Sequence, residues 1–223
     1  MKKKVLVIDV GGTHVKTLAS GRRIVAQRES SPDLTPRQMT DLVLEMTDGW
    51  RFDVIAIGYP GPVVRGRIVR EPHNLGRGWV RFDFERAFHR PVKVINDAAM
   101  QAIGSYEGER MLFLGLGTGL GTTLVRDGIV IPLEIAHLPY RRGRSYEETI
   151  GDAALHRIGV RAWRTQVAAI VGLMMDAVVA DYTVLGGGNV RRIKTLPPGT
   201  RRGDNANAMR GGFRLWNTDI VCT

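Results

Sequence analysis

The sequence Val5-Leu-Val-Ile-Asp9-Val-Gly11-Gly12-Thr13-His-Val-Lys16 decides the fold of this chain. Residues 5–8 form a continuous aliphatic run, which is typical of a strand buried on both faces. The glycine pair permits a tight turn whose backbone N–H groups can bind an anion, with Thr13 as a donor and Lys16 as a positive charge. Asp9 would face that anion, which is favourable only if Mg²⁺ or its water shell lies between them. The stretch alone is equally compatible with a hairpin turn that carries charge.

Composition limits the classes of protein to consider. The chain has 223 residues, of which 43% are hydrophobic and 24% charged, and this suits one large domain or two small ones. The net charge of +10 favours either a polyanionic partner or simply a basic surface. Cys222 is the single cysteine, so an internal disulfide is excluded and a reducing cytoplasm fits. We expect no leader segment, no membrane span and no nucleic-acid partner, because none of their signatures is present.

The opening pattern recurs half a chain later. Strand-like stretches at residues 5–8, 17–19 and 24–26 are separated by turns, which predicts an antiparallel meander. A dinucleotide-binding unit is rejected because no helix follows the glycines. Residues 111–131 repeat the order, with a glycine-rich loop at residues 115–121 and a hairpin turn at Asp127-Gly128. Two such meanders predict two related lobes that face each other across a cleft.

Other segments have recognisable local signals. Thr35-Pro36 with Gln38 predicts a capped helix start, and buried strands are predicted at residues 54–57, 92–95 and 182–185. Further helices are expected at residues 98–106, 146–158 and 162–179, with a short terminal helix within residues 203–208. The methionines of the 162–179 helix fit a packed core or a binding groove.

Asp97 is the candidate for chemistry. It follows a buried strand directly, so it would lie in the cleft and could orient a hydroxyl and accept its proton. The competing interpretation is that Asp97 only caps the helix that begins at Ala98. The residues alone leave both open.

An ordered set of motifs resembles the ROK family of sugar kinases. The motifs are Asp9-Val-Gly-Gly-Thr-His-Val-Lys16, Asn96-Asp97, Gly117-Thr-Gly-Leu-Gly121, Glu134-Ile-Ala-His137 and Gly186-Gly-Gly188. Tyr146-Glu147-Glu148, Leu196-Pro-Pro-Gly-Thr200 and Gly203-Asp-Asn-Ala-Asn-Ala208 resemble the polyphosphate glucokinase branch in particular. Each motif is weak alone, but their order over nearly the whole chain is specific.

The resemblance implies an α/β, actin-like ATPase (ribonuclease-H-like) fold of two lobes, each a mixed sheet flanked by helices. We expect a small lobe at residues 1–97, joined by the terminal segment 206–223, and a larger lobe at residues 98–205. The implied reaction transfers a phosphoryl group from polyphosphate, ATP or both to the 6-hydroxyl of glucose, with Mg²⁺. A cytoplasmic homodimer is expected.

The resemblance also assigns roles to residues. Asp97 matches the catalytic base, and the sugar-binding positions are Gly61, Asn74, Asn96, Asp97, Glu134, His137 and Glu147. The donor-binding positions are Asp9, Gly11, Gly12, Thr13, Lys16, Gly117, Thr118, Gly119, Gly187 and Gly188. Asp9 would hold Mg²⁺, directly or through water. His137 alone reads more readily as a structural histidine, but its motif makes it a hydroxyl ligand.

Two departures from the family pattern matter. The segment Arg141-Arg-Gly-Arg-Ser-Tyr146 has no cysteine, so we expect no structural zinc. Ala136 stands where the family has glycine, which can change the preferred hexose.

The basic residues at 141–144 and 191–202 are candidates for following a long polyphosphate. The alternatives are a strictly ATP-dependent glucokinase or mannokinase, and a non-catalytic sensor of sugar or polyanion.

Overall fold

The computed structural model describes residues 2–204 and 206–222. The strands of these residues are, in chain order, β1 (Val5–Val10), β2 (His14–Ala19), β3 (Ala26–Glu29), β4 (Val54–Tyr59), β5 (Val63–Val64), β6 (Arg67–Ile68), β7 (Val92–Asn96), β8 (Arg110–Leu116), β9 (Leu120–Arg126), β10 (Ile129–Leu133), β11 (Pro139–Arg141), β12 (Arg144–Ser145), β13 (Tyr182–Gly186), β14 (Thr200–Arg202) and β15 (Val221–Cys222). The helices are α1 (Pro36–Met46), α2 (Phe84–Phe88), α3 (Asp97–Ser105), α4 (Tyr146–Ile150), α5 (Asp152–Val178) and α6 (Asn207–Asn217), with a 3-10 helix at Gly188–Arg192.

Two mixed sheets organise the molecule, and each contains one copy of the meander. The first sheet has the order β3-β2-β1-β4-β7, and the second has the order β14-β13-β8-β9-β10-β15. In the first, β1 is antiparallel to β2 and parallel to β4; in the second, β8 is antiparallel to β9 and parallel to β13. The predicted internal repeat and α/β fold are therefore confirmed.

Helices α3 and α6 fill the space between the two sheets. Their buried Met100, Ile103 and Met209 pack with Val7 of β1 and Phe113 of β8 in one apolar cluster. Helix α1 covers the other face of the first sheet, where Met39 and Val43 pack on Ile8. Helix α5 covers the outer face of the second sheet through Trp163, Ile170 and Val171. The terminal segment touches both halves, because α6 lies against β1 and β4 while β15 pairs with β10.

Local signals set several boundaries as predicted. Thr35 caps α1 in a capping box with Gln38. Asp127 and Gly128 both have positive φ, at 52° and 76°, as the tight β9–β10 hairpin requires. Among residues 2–204 and 206–222, none of the helices combines the length and apolar character that a membrane span requires.

Four predicted elements differ from the structure. The helix expected at residues 146–158 breaks at Gly151, and α5 then runs through the range expected for the next helix, with a kink at Gly159, where φ is 75°. The helix expected within residues 203–208 begins only at Asn207 and ends at Asn217. The strand expected at residues 24–26 begins at Ala26, and Ile24 is 83% exposed. The lobe limits predicted at residues 1, 205 and 223 lie outside the described residues.

Candidate active site

A cavity of about 380 Å³ lies where the carboxyl ends of strands from both sheets meet. Gly11 follows β1, Gly61 follows β4, and Asp97 follows β7. From the second sheet, Gly117 follows β8 and Gly187 follows β13. Ligand sites in α/β proteins lie at this edge because parallel strands bring their following loops together there. The cavity is therefore the candidate active site.

Most of the site residues predicted from the sequence line this cavity. Those that line it are Gly11, Gly12, Gly61, Asn74, Asn96, Asp97, Gly117, Thr118, Gly119, Glu134, His137, Glu147 and Gly187. Asp9, Thr13, Lys16 and Gly188 are not among the lining residues. Lys16 is the cross-strand partner of Asp9 and lines a different cavity, beside Met209 and Arg210 of α6.

Asp97 is the first residue of α3, and the capping role belongs to its neighbour. The Asn96 side chain accepts a hydrogen bond from Ala99 N at 3.0 Å, while Asp97 Oδ1 accepts one from Ala98 N at 2.7 Å. Burial, and then the nearby carboxylate of Asp9, raise the pKa of Asp97 to about 7, against the lowering effect of the Ala98 N–H. Such a carboxyl group can exchange a proton near neutral pH.

The amide nitrogen of the Asn96 side chain forms a second hydrogen bond. Its Nδ2 donates to Gly61 O at 3.1 Å, so the amide ties the loop after β4 to the start of α3. One amide proton and one oxygen lone pair are left for a ligand.

The second glycine loop is supported from α4. Glu147 Oε2 accepts a hydrogen bond from Leu120 N at 3.2 Å, and Glu147 Oε1 lies 4.0 Å from His137 Nδ1. A Cβ on Gly119 would lie 2.2 Å from Glu147 Oε2, so the close approach of this carboxylate requires glycine. The loop and the residues expected to bind the sugar thus form one connected structure.

The third glycine loop, residues 186–188 after β13, supports the second glycine loop, residues 115–121 between β8 and β9. Gly187 has φ 82°, and a Cβ there would lie 2.4 Å from Leu116 O. Asn189 Nδ2 donates to Gly117 O at 3.3 Å and to Asp152 Oδ1 at 3.0 Å. The loops after β8 and β13 are therefore held together by backbone contact and by one amide side chain.

The first glycine loop touches the irregular segment between β6 and α2. Gly11 N donates to His14 O at 2.9 Å, and Ser30 Oγ donates to Gly11 O at 2.8 Å. A Cβ on Gly12 would lie 3.3 Å from the Cβ of Asn74. This contact brings Asn74 to the cavity.

Five polar lining residues have no individual role among the sequence predictions: Arg70, Glu71, His73, Gln101 and Thr122. Gln101 lies four residues after Asp97 on α3, so helical periodicity could have found it. The His73 ring centroid is 6.5 Å from that of His137. Glu71 holds the segment in place, because its carboxylate accepts from Trp79 N at 3.0 Å and from Val80 N at 3.2 Å.

The basic residues divide into two groups. Arg141, Arg142, Arg144 and Arg157 line a cavity of about 450 Å³ beside the β11–β12 hairpin. Arg201 and Arg202 are exposed but have partners within the chain: Arg201 pairs with Glu107, and Arg202 donates to two backbone carbonyls near the 3-10 helix. The role of the 191–202 stretch in following polyphosphate stays a prediction, and these two guanidinium groups already have partners within the chain.

A divalent cation fits the two half-buried acids, Asp9 and Asp97. Burial raises the pKa of Asp9, with Lys16 opposing, and Asp9 in turn raises the pKa of Asp97, so two carboxyl groups repel each other at this edge. Mg²⁺ is held in proteins by one or two carboxylates together with phosphate oxygens. Within the described ranges, no group of three His, Cys, Asp or Glu side chains is arranged to hold a metal ion.

Two facing mixed sheets with glycine loops at their inner strand ends define an actin-like ATPase fold. The most similar solved structures include an inorganic polyphosphate/ATP-glucomannokinase from Arthrobacter sp. strain KM, with a TM-score of 0.79, 20% identity, and coverage of 95% of this chain and 97% of that one. The chain belongs to the ROK family, whose model matches residues 5–132.

Two related proteins are slightly more similar in sequence than that structure. A polyphosphate glucokinase of Mycobacterium tuberculosis is 26% identical over 217 residues, which covers 86% of this chain and 80% of the relative. A glucokinase of Pyrobaculum calidifontis is 27% identical over 136 residues, or 57% of this chain and 45% of the relative, so that match spans less than half of the relative's length.

Proposed function

We propose that this chain is a hexose kinase that transfers a phosphoryl group from inorganic polyphosphate, and also from ATP, to the 6-hydroxyl of glucose. The observation that carries the proposal is Asp97, a carboxyl group with a pKa of about 7 in a cavity lined by glycine loops from both sheets. Such a group suits a general base that works near neutral pH. Membership of the ROK family and the names of the relatives support the reaction class.

The acceptor sugar would occupy the part of the cavity lined by Asn74, Glu134, His137 and Glu147. Carboxylates accept hydrogen bonds from hydroxyl groups, and a neutral imidazole both accepts and donates, so these residues can fix several hydroxyls. Asp97 would accept the proton of the 6-hydroxyl as its oxygen attacks phosphorus. The bond from that phosphorus to the donor chain then breaks, leaving polyphosphate shortened by one unit, or ADP.

The donor would lie against the glycine loops. Gly11, Gly12, Gly117 and Gly119 carry no side chains that would keep phosphates away, although Gly11 N already donates to His14 O and Gly117 N to Gly119 O. Asp9 would hold a Mg²⁺ ion shared with the donor, and this ion would neutralise charge on the transferring group. The glycine loops then act mainly by positioning the donor in line with the sugar hydroxyl.

Two observations favour polyphosphate over a strict requirement for ATP. The Arg141–Arg144 hairpin follows His137 by a few residues and contributes to a cavity with four arginines, next to the α4 helix that carries Glu147. The relatives of greatest coverage are named polyphosphate glucokinases. Ala136, which is buried, favours testing mannose beside glucose, since its methyl group lies at the sugar side of the cavity.

The test is a matrix of donors and sugars. Purified protein would be given polyphosphate or ATP with glucose, mannose, fructose or N-acetylglucosamine, with and without Mg²⁺, and the sugar phosphate measured. We expect glucose phosphorylation by polyphosphate, and nearly complete loss of turnover in Asp97→Asn. Product with ATP alone would replace this proposal by a strictly ATP-dependent kinase. Glucose binding without product from either donor would favour a sugar sensor.

A further inference from the structure

A second cavity, of about 580 Å³, is lined in part by the segment between β6 and α2. Other residues of the same segment border the candidate active site. It shares no lining residue with the first cavity. Its walls are mostly apolar, formed by Ile68, Val80, Phe82, Phe84 and Val94. Val69, at the same cavity, is 52% exposed, so the apolar surface continues to the solvent. A space of this size and character is large enough for a small organic ligand.

Trp79 lines this cavity and has an unsatisfied polar atom. The side chain is 0% exposed, and its Nε1 has no hydrogen-bond partner among residues 2–204 and 206–222. By contrast, Trp163 Nε1 donates to Ile150 O at 2.8 Å and Trp216 Nε1 donates to Ile55 O at 2.9 Å. An unpaired buried N–H costs about 1–3 kcal/mol, so an acceptor atom supplied by a ligand would be favoured.

The indole ring is fixed by its aromatic neighbours. The Trp79 centroid lies 5.4 Å from that of Tyr59 and 6.3 Å from that of Phe84. Because the ring is packed on these partners, its N–H has a fixed position. Because this N–H is fully buried, a ligand oxygen meets it only when the side chains that cover it move aside.

Positive charge lies at the same cavity. Arg67 and Arg81 both line it, and both are exposed. Neither forms an ion pair with an acidic side chain in the described part of the chain. The nearby acids are engaged with backbone donors: Glu71 with Trp79 and Val80, and Asp83 with Arg86 N. Two guanidinium groups with apolar walls suit a ligand with one anionic end and an apolar body.

We infer that this cavity is a second ligand site, which binds a small aromatic or aliphatic carboxylate. The apolar body packs on Phe82 and Phe84, one carboxylate oxygen accepts from Trp79 Nε1, and the negative charge faces Arg67 and Arg81. The site is separate from the sugar and donor positions and needs neither of them to be filled.

Glu71 connects this site to the candidate active site. Its carboxylate accepts from the backbone N–H groups of Trp79 and Val80, which line the second cavity, while Glu71 itself lines the first. Tyr59, which packs on Trp79, donates from its hydroxyl to Arg70 O at 2.9 Å. A ligand that contacts Trp79 would therefore shift the segment that carries Asn74 and change sugar affinity. This effect on sugar rests on the proposed function, whereas binding of the carboxylate does not.

The test uses 2-naphthoate as the probe and 2-naphthalenemethanol as its neutral counterpart. In protein labelled with ¹⁵N, the indole N–H signal of Trp79 is the one lost in Trp79→Phe. We expect 2-naphthoate to move this signal and to bind about tenfold more tightly than the alcohol, since two charge-assisted contacts are gained. In Arg67→Ala/Arg81→Ala the two probes should bind alike, whereas Arg86→Ala/Arg90→Ala, with the same loss of charge, should keep the preference.

Several results would overturn the inference. The Trp79 signal could stay fixed at millimolar 2-naphthoate, move equally with the alcohol, or move no more than those of Trp163 and Trp216. If Trp79→Phe does not fold, the wild-type titration and the arginine variants decide by themselves. The coupling is measured as the change in glucose Kd on adding 2-naphthoate, which Glu71→Gln should reduce. Absence of glucose binding would contradict the proposed function and leave the carboxylate site standing.

Discussion

The carboxylate of Glu147 accepts a hydrogen bond from the backbone N–H of Leu120 at 3.2 Å and so joins α4 to the second glycine loop. The same carboxylate lies 4.0 Å from His137. One side chain therefore touches both the loop proposed for the donor and the residues proposed for the sugar. A change in the loop is therefore expected to change the affinity for the sugar, and this can be tested.

Gly119→Ala should weaken glucose binding. The new Cβ would lie 2.2 Å from Glu147 Oε2, and the carboxylate, as the end of a flexible side chain, would move and lose its bond to Leu120 N. Loss of a hydrogen bond to a charged group costs about 1.5–3 kcal/mol, so we expect a rise in glucose Kd of about tenfold or more, measured by calorimetry without donor. Gly117→Ala is the matched control, because a Cβ there meets nothing within 4 Å. Equal glucose Kd values in the two variants would contradict this account.

The pH profile of turnover should report Asp97. Burial and Asp9 raise its pKa to about 7, so the ionised base is lost as pH falls below neutrality. We expect kcat/KM to fall about tenfold per unit below that pH and to level off above it. Asp97→Asn should lower kcat by about 10²–10⁴-fold and abolish this dependence. A wild-type profile that is flat between pH 5.5 and 8 would exclude Asp97 as the titrating base.

The same residue should reduce stability at alkaline pH. Folding raises the pKa of Asp97 from 3.8 to about 7. The contribution of this group to the free energy of unfolding is therefore full below pH 3.8 and is lost as pH rises through 7. Asp97→Asn should therefore have a larger free energy of unfolding than the wild type at pH 8, by a few kcal/mol, and the gap should narrow toward pH 5.5. Urea unfolding at both pH values measures it, with the exposed Asp176→Asn as control. A gap that widens as pH falls would reverse the sign of the proposed shift.

The sequence predicts those features that depend on neighbouring residues. The capping box at Thr35, the hairpin at Asp127-Gly128 and the strand-end position of Asp97 all follow from local chemistry and are present. The break of α4 from α5 at Gly151 was missed because the apolar pattern of this region continues through the glycine. Asp152 N donates to Gly117 O at 3.1 Å and to Thr118 O at 3.3 Å, so a distant loop takes the N–H that would have continued the first helix.

In the candidate site as well, features set by neighbouring residues were predictable, whereas those set by distant parts of the chain were not. Lys16 belongs to the first glycine motif, but it shares a face of the sheet with Asp9, and α6 lies over that face. Helix α6 comes from the far end of the sequence, so the motif could not show where Lys16 points. Glu71 was assigned no individual role for a similar reason, since its role depends on backbone donors at Trp79 and Val80 in an irregular segment.

The arginine hairpin should matter for polyphosphate and not for ATP. Arg141→Ala/Arg144→Ala removes two of the four charges of the arginine cavity. We expect KM for long polyphosphate to rise several-fold and its dependence on salt to weaken, because surface charges act on a long anion by screened attraction, while KM for ATP stays within about twofold. Arg51→Ala/Arg90→Ala removes the same net charge elsewhere on the surface. Equal effects of the two pairs would show that net charge alone attracts the polymer.

The crossing of α3 and α6 should be the least tolerant point of the core. A Cβ on Gly104 would lie 1.9 Å from Asn207 O, and one on Gly211 would lie 1.8 Å from Met100 O, so backbone meets backbone with no flexible side chain to move. Gly104→Ala should destabilise by about 1–3 kcal/mol or more, because the helices must separate between the two sheets. Gly172→Ala, on α5 with nothing within 4 Å of the added Cβ, should instead stabilise by about 0.5–1 kcal/mol. Thermal and urea unfolding of both variants measure the contrast. A Gly104→Ala protein as stable as Gly172→Ala would mean that α3 and α6 do not meet in backbone contact at this point.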